Sequence, residues 1–191
     1  MANAPTAAVK PLPLHTLILA LCAVALPAAT LERLSLDDMI TKSTAIVRGK
    51  VLNSYTASAG PMIYTHYRIQ VSESLKGAAG ASMDVQMPGG ISGNLRQTFA
   101  GVPQFKVGDE YVFFLWTGRT GTAQVLGLTQ GLFAVAPGTA ADPVTTRSAS
   151  HEVMLEKRTG QQVQDQTLTM RMSQLRARIQ ATLAGGQGAV Q

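Results

Sequence analysis

Between Thr44 and Trp116 the apolar residues fall mostly at every second position, and the pattern is interrupted by glycines. A period of two is the mark of a strand with one face against a core. Ala45 to Tyr55 forms the first such run, with Gly49 inside it, where a bulge or sharp bend is expected. After a turn at Ala59-Gly60-Pro61, Ile63, Thr65, Tyr67, Ile69 and Val71 share one face, while Tyr64, His66, Arg68 and Gln70 share the other. Met83, Val85 and Met87 alternate against Asp84 and Gln86 in a third run that ends at Pro88-Gly89-Gly90. The segment from there to about Phe105 has the composition of a long loop. Tyr111 to Trp116 (YVFFLW) is apolar on both faces, which predicts the most buried strand, with Trp116 in the core.

Helical signals flank this region. Ser35 with Asp38 three residues on makes a capping box, Leu34 and Met39 make a hydrophobic staple, and Leu36, Met39 and Ile40 share a face. That short helix is expected to end near Ser43. Beyond Trp116, Gln124 to Leu128 and Gly131 to Ala136 read as short strands, and Pro137 to Pro143 as a turn. Val144 to Arg147 reads as an edge strand, and His151 to Arg158 as either a strand or a helical turn. Ser173 is placed to cap a final helix with Leu175, Ile179 and Leu183 on its apolar face, stopped at Gly185-Gly186. The chain has no internal repeat. The pattern divides it into a leader over 1–29, one domain over 30–184 and a disordered tail over 185–191.

The leader changes the picture of where the protein works. Lys10 and His15 precede an apolar run, Thr16 to Leu26, too short to span a membrane, and Pro27-Ala28-Ala29 supplies small residues for cleavage near Ala29, with Ala25 as the other candidate. This is the layout of a secretory signal peptide and predicts a periplasmic or secreted protein that meets the membrane only through that transient segment. Cys22, the one cysteine, lies within it behind Leu21, a poor neighbour for lipid attachment. The mature chain then has no thiol, which excludes disulfides, thiolate zinc sites and cysteine nucleophiles. It must be held by its own core. Of the 16 Lys and Arg only Lys10 is lost with the leader, against 11 Asp and Glu, so the mature chain stays mildly basic. Its cations are scattered from Arg33 to Arg178 without a run of four, which argues against nucleic acid as a partner.

Ile46-Val47-Arg48-Gly49-Lys50-Val51, Tyr67 to Gly77 and Phe105 to Leu115 together resemble the netrin-like domains, whose best-known members are the tissue inhibitors of metalloproteinases. The match covers about 70 residues of hydrophobic and turn pattern, and it also resembles exported bacterial proteins with the same order of leader, helix and barrel. The fold it implies is mainly β: a small OB-like antiparallel barrel with a short N-terminal helix and a C-terminal helix closing one end. The inhibitors' zinc chelation through an N-terminal cysteine has no counterpart in this chain.

Candidate chemistry is sparse. The glycine-rich stretch Pro88 to Asn94 lacks the spacing and the lysine of a phosphate loop. If a binding surface exists it is expected here and on the continuation from Thr98 to Gln104, carried by Gly89, Gly90, Ser92, Gly93, Asn94, Phe99 and Gln104. Asp109-Glu110 reads as turn chemistry. His66 and His151 do not have the spacing of a metal pair, and no motif asks for a cofactor. The function these features imply is a non-enzymatic binding or accessory module acting on an envelope or secreted protein through loops and a sheet face. The competing reading is an envelope hydrolase with dispersed residues such as His66, Asp84 and Glu110. A small-ligand carrier is disfavoured by the bulky Phe113, Phe114 and Trp116, which fill a barrel interior.

Overall fold

The computed structural model describes residues 30–119, 121–138 and 141–187; residues 1–29, where a leader is expected, and the last four residues lie outside the described residues. In chain order the elements are β1 (Thr30–Glu32), α1 (Leu36–Lys42), β2 (Ala45–Ala59), β3 (Met62–Lys76), β4 (Ser82–Pro88), β5 (Gly90–Ser92), β6 (Leu95–Gln97), β7 (Glu110–Thr117) and β8 (Ala123–Val125). A 3-10 turn (Leu128–Gly131) follows, then β9 (Leu132–Val135), β10 (Val144–Arg147), β11 (Val153–Leu155), β12 (Gln162–Val163), β13 (Leu168–Arg171) and α2 (Met172–Gln187). The protein is mainly β with two helices.

The large sheet runs β13-β10-β9-β7-β2-β3-β4-β8, and β8 also pairs with β7. The pairings therefore return to their start along β7-β2-β3-β4-β8-β7, although β4 and β8 meet at one parallel position, Val85 opposite Ala123. β7 is the hub. One edge pairs with β2 from Glu110 to Leu115; the other pairs with β9 over Tyr111–Phe113 and with β8 over Leu115–Thr117. The 3-10 turn sits where this second edge changes partner.

Both faces of β7 are covered. Phe113 and Leu115 join Val47, Val51, Ile69, Val85 and Phe105 in one cluster, on one side of the sheet. Val112 and Phe114 join Ile46, Phe133, Met39, Ile40, Leu175 and Ile179 in the other, under the helices. A strand with no polar face needs cover on both sides, and the chain supplies it from two sources. The β2–β3 hairpin coils through register shifts at Ile46/Val47, Arg48/Gly49 and Val51/Asn53. The bend expected at Gly49 is one of them. A Cβ there would stand 2.5 Å from Ile69 Cγ2 and 2.7 Å from the Gln70 carbonyl oxygen, so only glycine lets β2 press onto β3.

Side chains hold both helices in place. In α1 the Ser35 hydroxyl accepts from the Asp38 N–H at 3.1 Å and the Asp38 carboxylate accepts from the Ser35 N–H, the capping box expected from sequence. The Ser35 hydrogen bond holds the Asp38 carboxyl below the usual range. Lys76 Nζ donates to the carbonyls of Ile40 and Thr41 at the other end. α2 lies against α1 and the sheet. Arg176 makes a paired hydrogen bond to Glu73 (2.7 and 2.9 Å), and Arg178 and Thr182 both reach Asp37.

Five expectations need correction. The segment after Pro88 is no plain loop, because β5 and β6 pair as a hairpin too short to register as alternation. β10 is not an edge strand: it lies between β9 and β13, and β13, not expected from sequence, takes the edge. Trp116 is 48% exposed. It shares the helix-side face of Val112 and Phe114, but the cluster under the helices ends at Phe114. Ser173 does not cap α2 but lies in its first turn, donating its N–H and hydroxyl to the carboxylate of Asp142, while Gln174 reaches back to the Arg171 N–H. The Asp142 carboxyl is lowered by that Ser173 bond. Finally, Gly185-Gly186 do not stop the helix, which continues to Gln187, so 185–187 do not belong to a disordered tail.

Replacing Phe113 by Ala should cost about 3–5 kcal/mol in urea unfolding, as a large side chain is removed from a closed core. Gly49→Ala should cost about 1–3 kcal/mol by overpacking against Ile69 and the β3 backbone. The Glu73 carboxyl is lowered mainly by its hydrogen bond to Arg176, with burial opposing. Its contribution is therefore full above the ordinary glutamate range and is lost as pH falls through the depressed value. Melting temperatures measured against pH should show a shallower acid decline in Glu73→Gln than in the parent.

Candidate binding surface

The β5–β6 hairpin folds back over the distal half of the β2–β3 hairpin. Its attachment begins at Gly89, whose N–H donates to the Ile63 carbonyl at 2.8 Å and whose carbonyl accepts from the Thr65 hydroxyl at 2.8 Å. Gly89 and Gly90 have φ of 98° and 142°. A Cβ on Gly90 would meet Thr65 Oγ1 at 2.7 Å and Thr56 Cγ2 at 2.8 Å. These two glycines therefore serve close packing of the hairpin on the strands beneath. Thr56 donates to the Ile91 carbonyl at 2.7 Å, and the Ser58 and Ser92 hydroxyls meet at 3.3 Å.

The strongest fastening is Gln97, a residue sequence reasoning passed over. Its side-chain oxygen accepts from the Ile63 N–H and its amide donates to the Pro61 carbonyl, both at 2.7 Å, so one amide locks β6 to the turn between β2 and β3. Nothing in the local sequence distinguishes Gln97 from any loop glutamine. Its role arises from the fold-back.

Of the expected site residues, Gly90 and Gln104 border a groove of about 300 Å³ together with Thr56, Arg96, Gln97 and Thr98. Gly89 and Phe99 line a narrower recess of about 80 Å³ beside it, which Gly90 and Gln104 also border. Ser92 is the last residue of β5, and Gly93 and Asn94 form the exposed hairpin turn with Gly93 at φ 58°. The structure thus brings four of the seven residues around one depression and leaves three toward the hairpin tip. The hairpin carries exposed apolar side chains, Leu95 at 69% and Ile91 at 49%, and Phe99, just beyond β6, is 43% exposed.

A second depression of about 430 Å³ lies on the uncovered side of β9 and β10, bordered by Tyr111, Thr129, Thr146, Ser148, His151 and Glu152. Burial, reinforced by the charge of Asp109 and its hydrogen bond, pushes the Tyr111 phenol up to about 12. It therefore stays protonated and serves as a hydrogen-bonding group.

His66, Asp84 and Glu110 are not assembled. His66 stacks on Tyr55 with ring centroids 4.8 Å apart, Asp84 pairs with Arg68 at 2.8 Å, and both Glu110 oxygens accept from Arg48 at 2.8 and 3.0 Å. Glu110 and Asp109 point to different partners, Asp109 accepting from the Tyr111 hydroxyl. Among the described residues no three His, Cys, Asp or Glu side chains form a group able to hold a metal ion. No protein-family model and no curated protein matches the sequence.

Gln97→Ala should loosen the hairpin selectively. Amide exchange over residues 90–97 should speed up at least tenfold, while global unfolding changes by only about 1–2 kcal/mol, the scale of lost hydrogen bonds.

Proposed function

We propose that the chain is an exported, non-enzymatic binding module of OB-like architecture that engages an envelope or secreted protein through the β5–β6 hairpin and its groove. The architectural part rests on the ring of pairings β7-β2-β3-β4-β8-β7, with β4 and β8 parallel, which suits a small five-stranded barrel. The resemblance to netrin-like domains is a second support for this reading. The export part rests on the leader alone.

The observation that carries the binding reading is the hairpin tip. Ile91 and Leu95 lie exposed on the hairpin, Arg96 stands opposite Ile91, and Phe99 follows two residues beyond β6; the hairpin backbone is anchored where it begins and where it ends. Scattered exposed apolar residues are ordinary, but a group of them on one projecting element marks a contact surface. The anchoring lowers the ordering cost of binding, since the hairpin is already fixed before a partner arrives. An apolar centre with one arginine matches the composition of protein–protein contact cores.

A photo-crosslinking side chain placed at Leu95 in intact producing cells should capture a discrete protein, and the same group at Gln180, exposed on α2, should not. Phe99→Ala combined with Arg96→Ser should abolish the adduct. Equal capture at both positions, or an adduct indifferent to the double change, sinks the hairpin as the binding surface. Mass spectrometry of the accumulated protein should find an N-terminus at Thr30, and a chain retaining its first 29 residues in the cell interior would remove the export reading.

A further inference from the structure

The distal half of β2 has a free edge. Beyond Val51, which exchanges hydrogen bonds with Gly108 and Asp109, the strand pairs with β3 alone, and every residue from Leu52 to Ala59 is exposed. Ile63 shows which way the backbone groups along this edge point. Its N–H donates to Gln97 Oε1 and its carbonyl accepts from Gly89, so both face away from β2. In an antiparallel pair the residue opposite then also turns its N–H and C=O away, and the same holds two residues further along. Ser58, Thr56 and Ser54 are the residues concerned, opposite Ile63, Thr65 and Tyr67. Their backbone N–H and C=O groups point outward and have no hydrogen-bond partner among the described residues.

This edge lacks the devices that keep strand edges apart. Residues 52–59 (LNSYTASA) contain no charge and no proline. By contrast, β4, whose outer edge meets β8 only at Val85, carries Asp84 and ends in Pro88, and β13 at the end of the large sheet ends in Arg171. The β2 edge is also held in place. β3 secures its other side, and β5 is fastened to it through the Thr56 and Ser58 hydroxyls, so pairing costs little further ordering. Laid antiparallel on itself about Thr56, the segment is self-complementary. Thr56 falls opposite Thr56, Ser54 opposite Ser58, and the half-exposed Tyr55 opposite the small Ala57, with no like charges in register.

We propose that β2 pairs through this edge with the same edge of a second copy, antiparallel about Thr56, joining two large sheets into one across a two-fold axis. The outward groups of Ser54, Thr56 and Ser58 then meet their counterparts on Ser58, Thr56 and Ser54 of the second copy. The pairing uses backbone of β2 and not the side chains of Leu95, Arg96 and Phe99, so it does not rest on the hairpin as a binding surface. Sedimentation velocity of the protein purified from producing cells should show a concentration-dependent dimer. Where the dimer prevails, the Ser54, Thr56 and Ser58 amides should exchange at least tenfold more slowly than in dilute protein.

Ser54→Pro removes one outward N–H that takes no part in the β2–β3 ladder, and Ala57→Lys puts a charge on the exposed edge. Each should weaken the dimer at least tenfold with an unchanged circular dichroism spectrum. Phe99→Ala combined with Arg96→Ser should leave the dimer as it is. A monomer at every concentration up to about 1 mM, a dimer indifferent to both edge variants, or unchanged exchange at the three amides overturns the edge pairing. A dimer lost only in the Phe99 and Arg96 variant also overturns it, by assigning self-association to the hairpin.

Discussion

The structure depends on a strand that has no outside. Along β7 the side chains of Val112, Phe113, Phe114 and Leu115 are all fully buried, alternately toward the helices and toward the cluster around Val47, Ile69 and Phe105. Such a strand is stable only if something covers each face, because leaving either row in water forfeits about 25 cal/mol for every Å² of apolar surface exposed. That single demand requires both α1 with α2 on one side and the coiled β2–β3 hairpin with β4 and Phe105 on the other. It also explains why Phe105, which belongs to no strand or helix, is buried. Its ring contacts Tyr67, Tyr111 and Phe113 at centroid distances of 4.6 to 5.5 Å and fills the space the strands leave.

The charged residues act on this frame from outside. Arg176 with Glu73 and Arg178 with Asp37 tie α2 to β3 and α1. Both pairs are partly solvated, so each adds little to stability. Their paired geometry does specify how α2 is turned about its axis, which keeps Leu175 and Ile179 inward. Arg48 with Glu110 and Arg68 with Asp84 do the same between neighbouring strands. The scattered basic charge is thus largely used within the fold. Arg147 differs because it is buried, and its partner Asp165 also holds the Ser150 N–H, so one carboxylate organises both the guanidinium and the loop beyond β10.

Much of the frame was legible in the sequence, and the reason is local. The capping box at Ser35, the alternation of Ile63 to Ile69, the two-faced burial around Phe113 and the bend at Gly49 each follow from neighbours a few residues apart. What escaped was set by distant partners. The position of β10 inside the sheet depends on β13, more than twenty residues later, and the start of α2 depends on Asp142, thirty-one residues before Ser173. Trp116 looked like core because its neighbours in sequence are core; its exposure depends on where the helix cover ends.

The same distinction governs the candidate site. Glycine density drew attention to Pro88–Asn94, and the segment does lie at the exposed hairpin, but Gly90 is consumed by packing against Thr56, Ile63 and Thr65, and Gly89 by the close approach of the Gln97 carbonyl. Glycine there permits contact within the chain, so the chemistry open to a partner sits on Ile91, Leu95, Arg96 and Phe99. Only Phe99 of these was singled out by the sequence. An exposed apolar residue in a polar stretch reads as unremarkable until the backbone beneath it is known to be fixed. Gln97 and Gly89 pin that backbone, and under the proposed reading this fixed backbone is what would set these residues apart from a loop that merely carries leucine.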